Sequence, residues 1–138
     1  MSCLEKQAKI KEQFLALKTL EKRYEKIIAL GRSLPPFPQE EKVEENRVKG
    51  CQSLLYLKMH VREGKLQIFC ASDALISAGL AALLISVYQD EPPEAIFKYP
   101  PIFLKEMGIL EALSPSRSNG LRSLHQKMQQ DAVKLVVS

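Results

Sequence analysis

Tryptophan is absent from this chain and histidine is nearly so, with His60 and His125 alone among 138 residues. Two scattered histidines make neither a histidine-rich metal centre nor an H-E-x-x-H helix. Without tryptophan, or aromatics interleaved with arginine and lysine, there is no platform for stacking nucleic-acid bases. No Walker loop, G-x-G-x-x-G or G-x-S-x-G occurs, so the common phosphate-binding and nucleophile-elbow templates are excluded. The longest apolar run, Ala78 to Val87, is about half of what a bilayer requires. The N-terminal stretch is charged every few residues and lacks the apolar core of a secretory signal. A cytoplasmic protein without membrane segments is expected. Cysteine is scarce too. Cys3, Cys51 and Cys70 are odd in number and widely spaced, so they do not form a disulfide framework, and at least one thiol should be free.

What is present is ordinary in composition, with 46% hydrophobic and 26% charged residues. That balance and the length fit one soluble domain spanning residues 1–138. The net charge of +4 comes from 20 basic residues spread against 16 acidic ones. With no long basic run, nucleic acid is not expected, and a basic face for an acidic protein partner accounts for the charge at least as well.

Phe14, Leu17, Tyr24, Ile27 and Ile28 recur near a 3.6-residue period, predicting one amphipathic helix from about Leu4 to Leu30. Gly31 is its natural stop, and the prolines of SLPPFP at 33–38 start an extended linker. Leu55, Leu57, Met59 and Val61 then alternate with Tyr56, Lys58 and His60, which reads as a strand. Arg62–Lys65 supplies a hairpin loop into a second strand through Leu66, Ile68 and Cys70. Two strands are seldom stable alone, so a third is expected. The segment from Ala74 is apolar on nearly every face and predicts a buried helix, with Gly79 allowing a close backbone approach. Two short helices set off by proline pairs follow. LSPSRSNG at 113–120 reads as a polar turn before a last helix, whose stripe is Leu121, Leu124, Met128, Ala132 and Leu135. The fold class is α+β, with a small antiparallel sheet of about three strands packed against helices.

Cys51 is the one candidate nucleophile. Gly50 permits a tight or left-handed backbone, the preceding segment is polar, and the strand begins only after Gln52 and Ser53. Arg47 and Lys49 are near enough in sequence to favour a thiolate, while Glu44 and Glu45 oppose them. On these residues alone, nucleophile and structural cysteine stand even. Cys70 shares the apolar side of its strand and should be buried, and Cys3 lies at an end expected to fray.

Three blocks resemble, in order, the signatures of the SufE/CsdE family of sulfur acceptors: ENRVKGCQS at 45–53, SDALISAGLAALL at 72–84 and LSPSRSNGL at 113–121. The resemblance implies a fold similar to that of iron–sulfur scaffold (IscU-like) proteins. It implies that Cys51 takes persulfide sulfur from a cysteine desulfurase (SufS/CsdA-like), activates that enzyme, and relays the sulfur to an assembly scaffold (SufBCD-like). Pyridoxal phosphate would reside on the desulfurase, and no cofactor of the chain's own is implied. Loop and partner contacts would fall to Arg47, Gly50, Gln52, Asp73 and Arg117. The residues themselves favour Asp73 as a helix N-cap, with a role in setting the Cys51 loop as the alternative. Ala71 stands where the family more often has an acid, and Tyr56 where tryptophan is usual. Arg117 fits a turn anchor or a desulfurase contact equally. The apolar residues Leu55 and Leu57, with the helix at 74–84, are expected to shield a persulfide. The alternatives are an iron–sulfur scaffold, which needs several converging thiolates, and a redox switch, which needs a resolving cysteine. Homodimerisation is left open.

Overall fold

Ser2 opens the first helix of this computed structural model, which describes residues 2–137; the domain bounds expected at Met1 and Ser138 lie just outside that span. The Ser2 hydroxyl accepts from the Glu5 amide and Glu5 accepts in return from the Ser2 amide, a capping box that ties the end of α1 (Cys3–Leu15). The expected frayed end is therefore ordered, and Cys3 is buried at 1% exposure. Gln7, one turn on and also buried, donates to the carbonyls of Tyr99 and Pro100 and pins α1 to the body.

The single helix expected from Leu4 to Leu30 is two. Thr19 caps α2 (Leu20–Arg32) by accepting from the Lys22 amide, and Arg23 Nε takes up the Phe14 and Leu17 carbonyls left at the end of α1. The apolar period continues across the break because both helices bury the same side, and so it hides the cap. Gly31 does not stop α2 but lies within it, where an added Cβ would sit 2.6 Å from the Gly79 amide nitrogen.

After the prolines, a strand pair forms as read: β1 (Leu55–Arg62) and β2 (Lys65–Ser72), antiparallel, with Arg62 opposite Lys65. Glu63 and Gly64 close the hairpin with φ of 54° and 78°, the two positive values that a two-residue turn requires. Leu55, Leu57, Leu66, Ile68 and Cys70 are buried on one face. On the other, Phe37 from the linker lies 6.2 Å from the Tyr56 ring, and exposed His60 stacks on Phe69.

The expected third strand is replaced by fragments. Arg47 makes a lone antiparallel bridge to Tyr56 on one edge, and on the other Leu66 exchanges backbone bonds with Asp90 and Glu91. The layer is completed by helices. Buried α3 (Leu75–Tyr88) packs on the sheet and on α2, with Gly79 beneath the Ile27 carbonyl. Next come α4 (Ala95–Lys98), α5 (Phe103–Glu106) and the long α6 (Pro115–Val137). The α6 stripe of Leu121, Leu124, Met128 and Ala132 is buried as expected.

The segment read as a polar turn is in fact helical. Ser114 accepts from the Arg117 amide, Pro115 occupies the first helical position, and Ser116 to Gly120 form the opening turns of α6. Among the described residues no helix is long and apolar enough to cross a membrane.

Candidate functional site

Between the bridge at Arg47 and the start of β1, the chain makes a closed loop at the rim of the sheet. Its base is tied by Val48 N–H donating to the Leu55 carbonyl at 2.8 Å. On the far side, Leu54 N–H donates to Asp73 Oδ1 at 3.0 Å, and Asp73 N–H donates to the Leu54 carbonyl at 3.2 Å. Asp73 is thus the loop's latch and not a helix cap. The N-cap of α3 is Ala74, with no side-chain bond, while Ser72 Oγ accepts from the Ala74 amide. Of the two readings of Asp73, the cap is not found, and its carboxylate bonds the loop backbone at Leu54 instead.

Gly50 holds a left-handed φ of 87°, and a Cβ on it would meet Ser123 Oγ of α6 at 2.7 Å. Only glycine fits both demands. The turn it makes carries Cys51 inward, so the thiol is half-buried rather than perched on an exposed tip. Its Sγ lies 3.2 Å from Ser53 Oγ and 3.0 Å from where a Cβ on buried Gly120 would stand. Ser53 Oγ donates to Ser77 Oγ at 3.4 Å, and Arg117 Nη1 donates to Ser77 Oγ at 3.0 Å. A polar thread therefore runs from Cys51 through two hydroxyls to a guanidinium. A cavity of about 10 Å³ adjoins it, lined by Leu55, Ser77, Leu80, Arg117, Gly120 and other apolar groups of α6. Leu57, expected to shield the sulfur, does not line this cavity; Gly120 and α6 take that place.

The remaining expected residues divide. Arg117 reaches the site. Arg47 and Lys49 line a groove of about 620 Å³ beside it with Glu44, Glu45 and α6, and among the described residues neither hydrogen-bonds the sulfur. Gln52 is exposed next to Cys51. Ala71 pairs with Tyr56 in the sheet, and the carboxylate that bonds the loop is that of Asp73.

Sequence reasoning missed Ser53, Ser77 and Gly120 as parts of the site. Ser53 stood just before the strand, Ser77 lay inside a helix read as apolar, and Gly120 looked like a turn residue. Its signal was the Ser-Pro pair at 114–115, which marks a helix start and would have put Arg117 and Gly120 one turn apart on one face.

The other thiols are of a different kind. Burial raises the Cys3 thiol above its ordinary range, and complete burial pushes Cys70 up to about 12. Both are held neutral in the core. His125 on α6 is half-buried beside Pro100, Ile102 and Leu110, its Nε2 sealed and unpartnered, and burial lowers its pKa. No group of three or more His, Cys, Asp or Glu among the described residues could hold a metal ion.

These features define a class: a small α+β protein built around one half-buried, loop-borne thiol. Residues 8–132 match the family described as SufE: Fe-S metabolism associated domain, and the chain belongs to it. The family places the chain in iron–sulfur metabolism. An uncharacterised SufE-like protein of Synechocystis is 36% identical over 126 residues, covering 91% of this chain and 79% of that one. Another, of Rhizobium etli, is 34% identical, covering 88% and 85%. The chain is also 34% identical to SufE-like protein 1, chloroplastic/mitochondrial, of Arabidopsis thaliana, over 83% of its own length and 31% of that longer protein. The solution structure of a hypothetical protein from Thermus thermophilus is similar, with a TM-score of 0.82 at 28% identity, over 96% of this chain and 97% of that one.

Proposed function

We propose that Cys51 accepts sulfur from the persulfide of a pyridoxal-phosphate-dependent cysteine desulfurase, stimulates that enzyme by clearing its cysteine, and passes the sulfur to an iron–sulfur assembly scaffold in the cytoplasm. The observation that carries this reading is the contrast among three thiols: two are buried, and Cys51 alone sits on a loop held by a few polar bonds. In the transfer, the Cys51 thiolate attacks the outer sulfur of the desulfurase persulfide. One S–S bond forms, the old one breaks, and the desulfurase thiolate leaves and takes up a proton. No oxidant is consumed. Reaching a thiol in another protein requires the loop to leave its latches, and none of them is stronger than an ordinary hydrogen bond. Folded back, the outer sulfur of a Cys51 persulfide would meet the small cavity at Gly120, away from solvent reductants.

The test is intact-mass analysis after incubation with a cysteine desulfurase and free cysteine. Gain of one sulfur atom, removed by reductant and absent in Cys51→Ser, is the expected result. No gain with a desulfurase that itself forms a persulfide would overturn the reading.

A further inference from the structure

Ser77 is a buried serine in a helix that is otherwise apolar on nearly every side. A buried hydroxyl needs partners, and this one has two from different parts of the chain. Arg117 comes to it from α6, and Ser53 comes to it from the Cys51 loop. Arg117 forms no ion pair among the described residues, so its charge is not spent on a carboxylate.

We propose that Ser77 is a positioning residue that couples Arg117 to Cys51 through Ser53, so that the guanidinium holds the reactive sulfur parked against Gly120. The extension to a persulfide rests on the sulfur-acceptor reading; the coupling to the thiol does not.

Each serine has one hydrogen to give and two lone pairs to receive. With the thiol protonated, S–H gives to Ser53, Ser53 gives to Ser77, and Ser77 receives a second bond from Arg117. When the thiol loses its proton, Ser53 turns its hydrogen to the sulfur and Ser77 turns its own to Ser53. Every bond then points from cation to anion, and hydrogen bonds to charged groups are the stronger kind. The first turn of α3, where Ser77 sits, adds the positive end of the helix dipole in the same sense.

Other charged groups surround the loop. Asp73 lies at the end of β2, Arg47, Lys49, Glu44 and Glu45 in the segment before the loop, and Lys127 on α6. Among the described residues, only Arg117 is linked to the sulfur by continuous hydrogen bonds. Removing the Ser77 hydroxyl cuts that link at its centre and leaves the other charges in place.

The experiment measures the rate of Cys51 alkylation by iodoacetamide against pH for the full chain, with Cys3 and Cys70 protected by burial. In Ser77→Ala the profile should rise at higher pH. Its rate near neutrality should be roughly threefold to tenfold lower, and its plateau no lower than wild type. Ser77→Thr should restore the wild-type profile, because it keeps the hydroxyl. Ser53→Ala, which removes the next hydroxyl of the thread, should reproduce Ser77→Ala. Profiles for the two alanine variants that superimpose on wild type would overturn the proposal, and so would a threonine variant that behaves like alanine. Alkylation needs no desulfurase. Normal sulfur uptake with unshifted profiles would therefore reject the coupling alone, whereas shifted profiles with no uptake would reject the sulfur-acceptor reading alone.

Discussion

Gly79 and Gly120 each leave room for another group where a Cβ would stand, but what arrives differs. At Gly79 it is main chain: the Ile27 carbonyl of α2 sits in that space, and Gly31 returns the contact, with its own missing Cβ 2.6 Å from the Gly79 amide nitrogen. At Gly120 it is the end of a side chain, the Cys51 sulfur, on a loop tied elsewhere by a few hydrogen bonds. Backbone against backbone cannot yield without moving two helices and the core they cover. Sulfur against backbone can yield by a loop movement. One close approach makes the fold, and the other makes a resting place for a reactive group.

Substitution at Gly79 should produce the largest effect. Gly79→Ala would drive α2 from α3 and cost on the order of 3 kcal/mol or more, despite alanine's better helix propensity, because backbone has nowhere to retreat. Chemical denaturation should show this, and a stability near wild type would break the contrast.

Asp73→Ala comes next. It removes the acceptor of the Leu54 amide and should cost about 1 kcal/mol. Hydrogen exchange should speed at Leu54 and Leu55 while the β2 core amides stay protected.

Gly120→Ala sharpens the comparison from the other side. The new methyl asks the sulfur to move, and the helix gains propensity, so stability should stay within about 1 kcal/mol of wild type. The high-pH plateau of Cys51 alkylation should nonetheless be higher, since its parked position is filled and the sulfur is pushed toward solvent.

The smallest effect is a pH slope. Burial depresses the His125 pKa in the fold, so the unfolded chain takes up a proton first as pH falls below about 6.5. The neutral burial of His125 is fully supported above that pH. Stability is lost as pH falls from there toward the lowered folded value. His125→Gln should flatten this part of the stability–pH curve relative to wild type.

Much of this was legible beforehand where periodicity speaks. The hairpin, the buried α3 and the apolar stripe of α6 followed from spacing, and Gly79 followed from one glycine in a run with no other purpose. Periodicity was silent where a cap interrupts a stripe without changing its face, as at Thr19, and where a helix opens with polar residues, as at Ser114 to Gly120. It also could not show that edges of a two-stranded sheet would be closed by a lone bridge and a few backbone bonds instead of a third strand. At the site, Cys51 and Gly50 were readable from their local order, and Arg117 from its block. Asp73 was weighed as a cap first, because an acid before an apolar helix usually is one. The thread through Ser53 and Ser77 joins residues 24 apart in sequence, and nothing local announces it.

The most direct test locates the sulfur. After desulfurase and free cysteine have acted on the wild-type chain, peptide mapping without reductant should find the added sulfur on the peptide containing Cys51, with those of Cys3 and Cys70 unmodified. Sulfur on either buried thiol, or on none of the three, would contradict the assignment of Cys51 as the acceptor.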